Sequence, residues 1–112
     1  MSSDIIKVDA IDFKFKMRDF EKIDFLKMDI EGAENQVIPH IKSELHRVEN
    51  LFLEFHSYKD KEQNLGVILD ILKESGFRYY LENVLDTKIP FMKNKSDNSM
   101  DIQTNIFAYR NK

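Results

Sequence analysis

The sequence predicts an α/β fold, a mixed, mostly parallel sheet with flanking helices. Three observations carry that expectation. Apolar runs of strand length recur at residues 23–30, 51–56, 77–84 and 102–110. The intervals between the first three runs hold apolar residues at helical spacing, and a helical crossover makes the strands it joins parallel. The last interval is polar and has no helical pattern, so the final pair reads as an antiparallel hairpin at or near the sheet's edge.

At the N-terminus, Ile6, Val8 and Ala10 alternate with Lys7, Asp9 and Asp12, which predicts an extended piece with one wet face over residues 5–15. The polar residues 16–22 read as a short turn or helix. Residues 23–30 form the first core strand, which ends in Glu31-Gly32-Ala33-Glu34, where glycine permits a sharp exit into a helix. Val37, Ile38, Ile41, Leu45 and Val48 then recur at helical spacing. Pro39 has no N–H to donate, so this stretch should divide into two short helical pieces jointed near Ile38. Residues 51–56 are almost unbroken apolar, as in a strand covered on both faces. Leu65, Ile68, Leu69 and Leu72 mark one helix face, which stops at Ser75-Gly76. Residues 77–84 are a strand, residues 86–101 a polar loop with Pro90, long enough for a flap over a site, and residues 102–110 the closing strand.

A chain of 112 residues with 42% hydrophobic content buries one modest core, so it is one domain or part of one. Seventeen Lys and Arg against 20 Asp and Glu give a net charge of -3, a field that attracts neither nucleic acid nor an anionic membrane. The absence of cysteine removes disulfides, thiolate zinc sites and cysteine nucleophiles, and suits a cytoplasmic protein. No basic leader with an apolar run is present, and no apolar stretch approaches the roughly 20 residues that span a bilayer. Gly32, Gly66 and Gly76 are the only three glycines and are far apart, so no glycine-rich nucleotide loop can be built. A complete nucleotide-binding enzyme is excluded on that ground.

Strand alternation puts Asp29 and Glu31 on one side of the first core strand's end and Glu54 and His56 on one side of the second's. Ligands of open α/β sheets bind beyond the carboxyl ends of the strands, so the four groups converge if the strands are neighbours. Strand ends are also wet, and carboxylates there can simply face water or cap a helix; Glu31 and Glu34 complement the positive end of the following helix, and Glu34 is weighted as structural. Asp29, Glu54 and His56 could in principle ligate a divalent ion, but no ligand signature accompanies them and no metal site is expected. His40 and His46 read as solvated. Phe52, Phe55, Phe77, Tyr79 and Phe107 read as core packing before any stacking role.

The segment Asp24-Phe25-Leu26-Lys27-Met28-Asp29-Ile30-Glu31-Gly32-Ala33-Glu34 resembles the signature of FkbM-type methyltransferases, which use S-adenosylmethionine to methylate hydroxyl groups. Leu51-Phe52-Leu53-Glu54-Phe55-His56 resembles that family's next strand, residues 69–77 its following helix and glycine, and residues 101–110 its closing strand. The resemblance implies a single partial domain over residues 1–112, the C-terminal half of a Rossmann-like methyltransferase fold. These are its fourth to seventh strands, without the N-terminal half that holds the cofactor. No position corresponds to the cofactor-binding residues. Asp29 and Glu31 fall on the acidic pair that faces donor and acceptor, Glu34 on the third acidic position, and Glu54 and His56 on the second strand's polar end. Asp29 or His56 would be the base. The implied cofactor is S-adenosylmethionine, and the implied substrate a small hydroxyl compound such as a sugar or natural product, with the chain inactive alone. The alternative function is a non-catalytic assembly module that associates through an exposed sheet edge, as a homo-oligomer or with a separate N-terminal half.

Overall fold

The apolar runs of the sequence assemble into a four-stranded sheet in the order β1-β2-β4-β3, formed by β1 (Ile23–Met28), β2 (Val48–Tyr58), β3 (Arg78–Leu85) and β4 (Met100–Tyr109). The structure is a computed structural model that describes residues 10–28, 34–85 and 100–111. Among the described residues three helices accompany the sheet: α1 (Ala10–Met17), α2 (Glu34–Ile41), which runs on into a 3₁₀ stretch at Lys42–Arg47, and α3 (Leu65–Glu74).

β1 and β2 pair in parallel, as the crossover between them requires, with Leu26 opposite Leu51 and Met28 opposite Leu53. The sheet is mixed, but the expectation that it is mostly parallel fails. β4 pairs antiparallel with β2 on one side and with β3 on the other, so antiparallel ladders prevail. The reason is topological. β3 runs in the same direction as β1 and β2, but the returning strand β4 inserts between β2 and β3 instead of adding at the edge. The final pair is antiparallel as expected, with β3 outermost.

Two local expectations are also corrected. Of the extended piece expected over residues 5–15, residues 5–9 lie outside the described residues and residues 10–15 are helical, because Phe13 and Met17, one turn apart, pack into the core beside α2. Tertiary burial outweighs the local alternation. The joint in the second helical stretch falls after Ile41, not near Ile38. Pro39 forgoes only one backbone bond, while Val37, Ile38 and Ile41 are buried at 6%, 0% and 0% exposure and hold the helix across it.

The core lies between the helices and one face of the sheet. Leu51, Leu53 and Phe55 of β2 and Ile106 and Ala108 of β4 meet Ile38, Ile41, Leu45, Ile68 and Leu72 there. Among the described residues the helices cover this one face, so β2 is not buried on both sides as its composition suggested. Phe55 and Phe77 are core residues as expected, whereas Tyr79 is exposed and Phe52 and Phe107 are half-buried on the other face. α3 ends as its sequence predicts. Gly76 has φ +91°, its N–H donates to the Lys73 carbonyl, and the Phe77 N–H reaches back to the Leu72 carbonyl at 3.0 Å.

Candidate functional site

Leu53 of β2 pairs with Met28, the last described residue of β1, and residues 54–58 pair with β4. This end of β2 carries Glu54 and His56, two of the polar groups that the sequence singled out. Glu54 and His56 follow Phe52 on the face away from the helices, while Phe55 and Ser57 point into the core side and are buried.

The imidazole of His56 is 5% exposed, and its Nε2 lies 4.0 Å from Oε1 of Glu54. That oxygen accepts a 2.7 Å hydrogen bond from Nε2 of Gln103 on β4. The ring of Tyr58 stacks beside His56, with centroids 6.1 Å apart and planes at 19°. A carboxylate fixed by an amide and an imidazole fixed by a neighbouring ring thus stand together at the strand's carboxyl end. On the opposite side of the strand, Gln63 donates to Oγ of Ser57 at 2.9 Å, tying the segment after β2 to its end.

Asp29 and Glu31 lie outside the described residues, as does the polar stretch read as a flap. The structure does place β1 directly beside β2, with Met28 opposite Leu53. Glu34 opens α2. His40 and His46 are exposed, as expected. Sequence reasoning missed Gln103 and Tyr58. Tyr58 was visible in principle, since alternation puts it on the side of Glu54 and His56. Gln103 depended on which strand β4 would pair with, which no local pattern specifies.

Among the described residues no group of three or more His, Cys, Asp or Glu could hold a metal ion. Of the described glycines, Gly66 lies inside α3 and Gly76 closes it. The described residues place a carboxylate and an imidazole side by side at the end of β2.

Residues 2–79 match the methyltransferase FkbM domain, a stretch that runs through β1, the acidic segment, Glu54, His56 and α3. The chain belongs to the FkbM methyltransferase family. No curated protein matches it. Among solved structures it is similar to a precorrin-6y C5,15-methyltransferase from Geobacter metallireducens GS-15, at 17% identity and a TM-score of 0.45. That likeness covers 85% of this chain and 48% of the other, so the chain spans about half the length of the protein it matches. The FkbM match ends just inside β3, so Gln103 and the rest of β4 lie beyond it. No helix among the described residues is long and apolar enough to cross a membrane.

Proposed function

We infer that this FkbM chain supplies the acceptor-facing part of an S-adenosylmethionine-dependent methyltransferase that acts on a hydroxyl group of a sugar or natural product. The observation that carries this reading is the pairing of His56 with Glu54 at the carboxyl end of β2, beside the end of β1 that leads to Asp29 and Glu31. S-adenosylmethionine, when bound, supplies an electrophilic methyl group. The chain's own task is to hold the acceptor hydroxyl and take its proton as the oxygen is alkylated. His56 is the candidate base that the described residues position, with the Glu54 carboxyl group, held by Gln103, beside its ring.

The test is a calorimetric titration of S-adenosylhomocysteine into the purified chain, followed by methyl-transfer assays with hydroxyl acceptors. No binding heat and no transfer by the chain alone are expected, with transfer appearing once a cofactor-binding half of an FkbM domain is supplied in trans. Saturable binding by the chain alone would overturn the division of labour between the halves.

A second reading, a non-catalytic assembly module, draws on a single observation. β1 pairs only with β2 among the described strands, and Phe25 on it is 52% exposed. An edge of that kind accepts a further strand, from a second copy or from a separate N-terminal half. Light scattering that shows a monomer at high concentration, together with no response to an added half, counts against it.

A further inference from the structure

The sheet face away from the helices is unlike a solvated one. An antiparallel ladder that faces water normally alternates apolar inside with small polar or charged residues outside. Here two adjacent outward rows carry rings, beside a polar row of Glu54, Asn105 and Glu82. The register aligns Lys27 of β1, Phe52 of β2, Phe107 of β4 and Tyr80 of β3 in one row across the sheet. Phe52 meets Phe107 edge-on at 5.0 Å, and Tyr80 stacks on Phe107 at 4.9 Å while remaining 57% exposed. The adjacent row runs Phe25, Asn50, Tyr109 and Arg78. Exposed rings at both edges, with half-buried rings between, make a continuous aromatic surface of the kind that marks an interface.

The order of residues within each row indicates what covers it. A cation stands at the β1 end of the first row and at the β3 end of the second, and each row has an exposed ring at its other end. Turning a second copy over about a two-fold axis parallel to the strands lays β1 of one chain over β3 of the other. Lys27 then faces the partner's Tyr80, Phe25 faces the partner's Arg78, and Phe52 faces the partner's Phe107. These three pairs are ring on ring or cation on ring, the Asn50 amide meets the partner's Tyr109 ring, and by symmetry each occurs twice. Lys27 already lies across this face, with its ammonium 5.8 Å from the Phe52 ring centroid.

We propose that this aromatic face is a self-association surface, on which two copies of the chain pack sheet to sheet about a two-fold axis parallel to the strands. The arrangement is that of aligned sheets in a sandwich, with interdigitated side chains between them. It is distinct from strand addition at the β1 edge, which uses backbone groups and leaves this face open.

The experiment combines sedimentation velocity of the 112-residue chain, from low micromolar to millimolar concentration, with disulfide trapping. The chain has no cysteine, so introduced thiols report cleanly. A concentration-dependent dimer is expected, weakened at least about tenfold by Tyr80→Arg or by Phe25→Ser, both at exposed positions, with unchanged far-UV circular dichroism. A mixture of Lys27→Cys and Tyr80→Cys chains should form a disulfide-linked heterodimer, while neither variant links to itself. A monomer at millimolar concentration overturns the proposal, and so does a dimer indifferent to both substitutions. Lys27→Cys linking to itself also overturns it, because that is the mark of β1 pairing edge to edge.

Discussion

Glu44 shows how a single buried charge is made acceptable in a small domain. Its side chain is 7% exposed, yet its carboxylate is surrounded by donors: Nε of Arg47 at 2.9 Å, Oγ of Ser43 at 2.9 Å and Nε of Arg18 at 3.4 Å. The Arg47 hydrogen bond foremost, then Ser43 and Arg18, hold its pKa down to about 2, from an ordinary 4.5. A folded-state pKa below the unfolded one means that the stabilisation is fully present above the unfolded value and is lost as pH falls through the folded one. Thermal melts should therefore show Glu44→Gln less stable than the parent at neutral pH, with the two converging between pH 4.5 and about 2. A constant gap across that window would mean that the ion pair is not what Glu44 contributes. At the site, His56→Ala should lower kcat for methyl transfer by the complemented domain roughly 10²–10⁴-fold, the range of a lost general base. Retention of full kcat would move the base to Asp29.

At the scale of elements, the C-terminal end of α3 is where sequence and structure agree most closely. Ser75-Gly76 predicts a stop, and the left-handed φ of +91° at Gly76 with its two reaching-back amides is that stop. A methyl group at Gly76 would meet Nη1 of Arg110 at 2.9 Å. Gly76→Ala thus combines backbone strain of roughly 1–2 kcal/mol with displacement of that guanidinium, and should lower Tm by about 4–8 °C per kcal/mol lost. A Tm within error of the parent would show that the left-handed turn is not required. The other elements were legible to differing degrees, for physical reasons. β1, β2 and α3 carry long apolar patterns whose period settles their type. Residues 10–15 alternate like a strand but are short, and contact with α2 through Phe13 and Met17 decides for helix. Phe52 and Phe107 have the composition of core residues, and only the one-sided placement of the helices reveals that they face outward. The pairing of β4 between β2 and β3 is a long-range choice, so the Gln103–Glu54 contact that it creates could not be read locally.

On the scale of the whole molecule, the late insertion of β4 gives the last described residues a central role in stability. Arg110, immediately after β4, donates through Nε to the Val48 carbonyl, through Nη1 to that of Ser75 and through Nη2 to that of Leu45, each at 2.8 Å. Its guanidinium also lies 4.1 Å from the Phe77 ring centroid. One side chain thereby joins the end of the 3₁₀ stretch, the start of β2, the cap of α3 and the approach to β3, segments distant in sequence that meet at the amino ends of the parallel strands. A planar fork can reach all three carbonyls where an ammonium cannot. Removing the fork should cost on the order of 2–4 kcal/mol, given that hydrogen bonds from charged donors are each worth about 1.5–3 kcal/mol and are not additive. That is a large part of the roughly 5–15 kcal/mol that holds a domain of this size. Urea titration should find Arg110→Ala strongly destabilised, with Arg110→Lys recovering only a minor part. Full recovery by lysine would reduce the contact to simple charge. Because Gly76 and Arg110 share the same corner, the double substitution should cost less than the two single losses combined, and additive losses would show that the cap and the guanidinium act independently.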